Sequence, residues 1–100
     1  MSKPDLAVPY SLFEGNGGGF LIVEVPAGRI ALPYIALRQI TLGEEGGQIV
    51  LEFTEQNIEV HGKGLGQLFE LLAGLRVKAL RVGCEEKGPC KIETLVALDG

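Results

Sequence analysis

Apolar and polar residues alternate most cleanly over residues 48–54. Ile49, Leu51 and Phe53 share one parity, Gln48, Glu52 and Thr54 the other, and Val50 breaks the rule. A period of two predicts a strand with one dry face and one wet face. Glu55-Gln56 offers a turn, and Ile58 and Val60 then alternate with Asn57, Glu59 and His61, so residues 48–61 are expected to form an antiparallel hairpin. Residues 20–25 are apolar on both parities, which predicts a strand covered on both faces. Pro26-Ala27-Gly28 has turn composition, since proline presets φ and glycine tolerates a positive one. Residues 29–32 then run back as a second hairpin that Pro33 ends.

The period changes once. Leu65, Leu68, Phe69, Leu72 and Leu75 fall at i, i+3, i+4, i+7 and i+10, a single apolar stripe that predicts a helix over 65–75. Leu71 widens the stripe and Gly74 weakens its last turn. Residues 77–82 and 91–98 read as the last two strands, joined by a loop over 83–90. Residues 34–40 fit either a helical turn or, from Ile40, the start of a strand, and 43–47 is a turn by composition. Residues 1–19 read as an irregular entry, interrupted by Pro4 and Pro9 and ending in the glycine-rich run 15–19, with room for a short strand at 10–13.

One helix among six or seven strands gives an α+β chain. It is expected to be a mainly antiparallel sheet or roll with the helix packed on it, because the apolar stripe needs a surface to cover. A length of 100 residues fits one domain over 1–100, since two cores would each be too small to hold together. The charged fraction of 22% and mean hydropathy of +0.25 exclude a disordered tail.

Charge narrows the function. Thirteen acidic residues against nine Lys and Arg give a net charge of −4 and a pI near 4.9, which argues against a nucleic-acid partner. Residues 1–9 carry Lys3, Pro4, Asp5 and Pro9 with no apolar stretch behind them, so no signal peptide is expected, and apolar runs such as 20–23 are far too short to span a bilayer. A soluble cytoplasmic protein with no membrane partner is the expectation.

The catalytic inventory is thin. His61 is the one histidine, Asp5 and Asp99 sit near the ends, and Ser2 and Ser11 lie in the irregular entry, so no rigid Ser-His-Asp set is expected. Cys84 and Cys90 flank a five-residue segment; free thiols are the first expectation, and a disulfide across a hairpin mouth is the alternative. They have only His61 as a further zinc ligand, so neither a metal nor a cofactor is expected.

The sharpest local signal is His61-Gly62-Lys63-Gly64-Leu65-Gly66, between strand and helix. Glycines let amides approach a ligand, a helix start leaves N–H groups unpaired, and Lys63 adds charge, so Gly62, Lys63, Gly64 and Gly66 form a candidate anion site. Arg76 and Lys78 would join it, with Arg81 nearby, if strands 57–61 and 77–82 are neighbours. The simpler reading is a tight turn whose glycines serve packing. With no catalytic residues expected, the leading function is an interaction or structural module. A homo-oligomer is expected, because a second copy covers exposed strand edges. Anion binding at 62–66 is the alternative.

Overall fold

The computed structural model describes residues 8–15, 19–86 and 88–99. Among them the chain runs β1 (Tyr10–Leu12), β2 (Phe20–Val25), β3 (Gly28–Pro33), β4 (Leu37–Leu42), β5 (Gln48–Phe53), β6 (Gln56–Lys63), α1 (Gly66–Ala73), β7 (Val77–Leu80), β8 (Gly83–Cys84) and β9 (Lys91–Asp99). Single 3-10 turns occupy Tyr34–Ala36 and Glu44–Gly46. The α+β class is as expected, but nine strands replace six or seven, and they form two sheets. One is ordered β1-β7-β2-β3 and the other β4-β5-β6-β9-β8. The undercount has a local cause. β8 is two residues long, β1 is three, and β4 follows a turn whose apolar residues mimic a helical period.

The 48–61 hairpin forms as the alternation requires. Ile49, Leu51, Ile58 and Val60 are fully buried and Phe53 nearly so, while Glu52, Asn57, Glu59 and His61 lie on the wetter face. β6 then pairs with β9 along its whole length. The ladder steps from His61↔Thr94 to Gly62↔Ile92, so Glu93 is the extra residue of a bulge. That step lets Ile92 and Leu95, three positions apart, both face the core.

β2 and β7 pair in parallel, the one such contact among the described residues, whose other ladders are antiparallel. Leu21, Val23 and Leu32 meet the five-stranded sheet's inner residues in one contiguous core, which α1 joins through Leu68 and Leu72 and its N-cap Leu65. The helix lies nearest β4. It is shorter than the predicted 65–75. The chain turns at Leu75, whose φ of 60° leaves the helical region, so this last member of the apolar stripe is 45% exposed. Between the sheets, the Tyr34 hydroxyl donates to the Val77 carbonyl at 2.6 Å. No buried side-chain polar atom among the described residues lacks a partner.

Candidate interaction surface

Among the described residues, the β2–β3 hairpin forms one end of its sheet, and β3 has a strand on one side only. Its inner residues are core. Its outer residues are Phe20, Ile22 and Glu24 on β2, registered against Pro33, Ala31 and Arg29 on β3. The expectation that residues 20–25 are covered on both faces is therefore half met. Leu21 and Val23 have no exposure, whereas Phe20 is 54% exposed and Ile22 only half-buried. Immediately beyond Pro33, the 3-10 turn buries Tyr34 and throws Ile35 outward, 95% exposed. A three-residue turn cannot bury every residue of an apolar run. Scattered exposed apolar residues are ordinary, but two large ones at one end of an open-edged hairpin form a patch.

Two depressions flank this hairpin. One of about 480 Å³ is lined by Ala31, Leu32, Pro33, Phe53 and Glu55, among others. The other, of about 360 Å³, lies between Val25, Pro26, Ala27 and Ile30 and the facing residues of β9, including Val96 and Ala97. Both are mainly apolar, and both follow β3. Glu55 lines the first depression and Arg29 stands on β3, both exposed and, among the described residues, without an ion pair. The spacing of apolar residues does not single out Phe20, Arg29, Ile35 or Glu55 as site residues. The one signal available was Tyr34-Ile35-Ala36-Leu37 following a proline, too many apolar residues for a turn to hide.

The glycine turn at 62–66 has a packing role at two positions. A Cβ at Gly62 would overlap the Lys91 carbonyl, and one at Gly64, where φ is +62°, would overlap the Pro89 carbonyl. Two of the turn's amides are already committed, Gly62 N–H to the Gly47 carbonyl at 3.0 Å and Leu65 N–H to the Gly46 carbonyl at 3.0 Å. Gly66 opens α1 with free space around it. Lys63 is exposed and registered opposite Lys91, which itself pairs with Glu93 at 3.5 Å.

Arg76 and Lys78 belong elsewhere. β6 is flanked by β5 and β9, and β7 by β1 and β2, so the two strands expected to be neighbours lie in different sheets. The reason is the parallel β2–β7 pairing, which draws the chain after α1 into the four-stranded sheet. Arg81 is held by the Val8 carbonyl at 2.8 Å, Ser11 Oγ at 3.1 Å and Glu24 at 3.5 Å. His61 meets Glu59 at 3.1 Å on the half-wet face of β6.

Both cysteines are free thiols, Cys84 partly and Cys90 almost fully buried. The register pairs Cys84 with Lys91, leaving Cys90 diagonal to it rather than opposite. Glu85 organises this loop. Its carboxylate accepts from the Tyr10 hydroxyl at 3.0 Å and the Cys90 N–H at 3.1 Å, and its own N–H donates to the Cys90 carbonyl at 2.9 Å. Burial, then the Glu85 charge, then Cys84, push the Cys90 thiol up to about 11. It therefore stays protonated and a poor nucleophile at neutral pH. Among the described residues no group of three His, Cys, Asp or Glu could hold a metal ion, and no helix is long and apolar enough to cross a membrane. Of the glycine-rich run 15–19, residues 16–18 lie outside the described residues, as do residues 1–7 of the irregular entry. Compared with known proteins, the chain matches no family model, no curated protein and no solved structure.

Proposed function

We propose that this protein is a small non-enzymatic interaction module that associates with copies of itself, working in the cytoplasm, where free thiols persist. One observation carries the reading. The outer face of the β2–β3 hairpin and the turn after it expose Phe20 and Ile35 beside an unpaired strand edge. An apolar patch beside an open strand costs solubility unless a partner covers it. Light scattering across a concentration series tests this. The unmodified chain is expected to form a discrete oligomer, and Phe20→Glu with Ile35→Glu to remain monomeric while folding normally. A monomer of the unmodified chain at high micromolar concentration would refute the reading.

The second reading is anion binding at Gly62, Lys63, Gly64 and Gly66. It rests on Lys63, which is exposed, faces another lysine across the ladder and has no ion-pair partner among the described residues. Arg76 and Lys78 no longer support it, since they lie on the other sheet. Titration with inorganic phosphate and pyrophosphate tests it, with Lys63→Ala expected to weaken any binding severalfold.

A further inference from the structure

We propose that two copies of this chain join edge to edge through β3, antiparallel about a twofold axis, to make one continuous eight-stranded sheet. This rests on the self-association reading and gives it a surface and a pair of charges.

The backbone defines the free edge. Tyr34 N–H donates to the Gly19 carbonyl at 2.8 Å. Peptide groups alternate sides along a strand, so Leu32, Ile30 and Gly28 also turn their N–H and C=O toward β2. Arg29, Ala31 and Pro33 turn theirs outward. Proline has no N–H, so the edge offers two donors, on Arg29 and Ala31, and three acceptors. No backbone hydrogen bond to another part of the described chain uses the Arg29 or Ala31 groups.

A second, antiparallel β3 satisfies this edge. If Arg29 of each copy lies opposite Ala31 of the other, both donors of each copy find acceptors, giving four bonds, with Ile30 facing Ile30 on the axis. Sliding until Ala31 faces itself also gives four bonds, two between the Ala31 residues and one from each Arg29 N–H to the facing Pro33 carbonyl, so either register uses every donor of the edge.

Charge selects the occupant. Antiparallel pairing carries the second copy's Arg29 to the stretch of β3 holding Ala31 and Pro33. That stretch lines the same depression as Glu55. Both side chains are exposed and, among the described residues, without an ion pair. The twofold axis makes the match twice, Arg29 to Glu55 in each direction, and so favours a second copy over an arbitrary strand. The same geometry brings Ile35, just past the end of β3, toward the second copy's Pro26-Ala27 turn and the apolar depression beside it.

Charge reversal tests the pairing in a way that separates it from the broader reading. Arg29→Glu and Glu55→Arg are surface changes that leave the fold intact by circular dichroism. Each alone places like charges together and is expected to weaken the homodimer at least about tenfold by sedimentation equilibrium. Mixed in equal amounts, the two variants restore both opposite pairs and are expected to form a heterodimer within about threefold of the unmodified affinity. Ala31→Pro, which removes only an outward N–H, is expected to weaken the dimer as well. A dimer indifferent to all three variants would overturn the β3 pairing and leave self-association standing. An unmodified chain that stays monomeric would overturn both.

Discussion

At the scale of single residues, the glycines of the 62–66 turn separate by role. Gly62 and Gly64 sit against the Lys91 and Pro89 carbonyls, and Gly64 also needs its positive φ, whereas Gly66 has open space. Gly62→Ala and Gly64→Ala are each expected to cost about 2–4 kcal/mol in urea unfolding, and Gly66→Ala to be neutral or slightly stabilising. Equal effects at all three would refute the packing assignment. Titrating residues give a second test. Burial, aided by the Glu85 hydrogen bond and charge, raises Tyr10 from 10.0 to about 12, and burial raises Tyr34 further. Cys90 rises from 9.0 to about 11. All three are neutral when protonated, and the unfolded chain releases these protons at lower pH. Their contribution is therefore full below about pH 9 and is lost as pH rises from there toward 12 and beyond. Melting temperature is expected to be flat from pH 7 to about 9 and to fall steeply above it. A melting temperature unchanged to pH 11 would contradict the burial of these groups.

At the scale of elements, what the sequence disclosed followed the strength of its pattern. The β5–β6 hairpin and the helix were legible because their periods of 2 and 3.6 run for two turns or more. β8 was not, because two residues have no period and pair only with Lys91 and Ile92. The bulge in β9 was hidden too, since an extra Glu93 reads as ordinary polar alternation until its partner strand is known. The helix end was misplaced because Leu75 continues the apolar spacing while its backbone has already turned left-handed. There the Arg76 N–H closes back on the Leu71 carbonyl at 3.0 Å. A left-handed leucine stores strain that glycine would not. Leu75→Gly is accordingly expected to stabilise the fold by about 0.5–1 kcal/mol, measured by chemical denaturation. A loss of that size or more would mean that the half-exposed leucine side chain outweighs its backbone.

At the scale of the whole molecule, the α+β class was legible and the division into two sheets was not. The parallel β2–β7 contact joins segments more than fifty residues apart, and nothing in either segment names the other. That one pairing separates Arg76 and Lys78 from Lys63 and dissolves the basic cluster that the chain order invited. It also makes β3 an edge among the described residues, with Phe20, Ile35 and the charges of Arg29 and Glu55 around it. The surface argued for association was legible in the sequence only as an excess of apolar residues over 20–25 and 34–37, because exposure of an apolar residue depends on which strands find each other. Sedimentation equilibrium of the unmodified chain beside Ile35→Glu, from low to high micromolar concentration, tests the central claim most directly. A monomer–dimer equilibrium that Ile35→Glu shifts to monomer is the predicted result. Two identical monomeric profiles would contradict it.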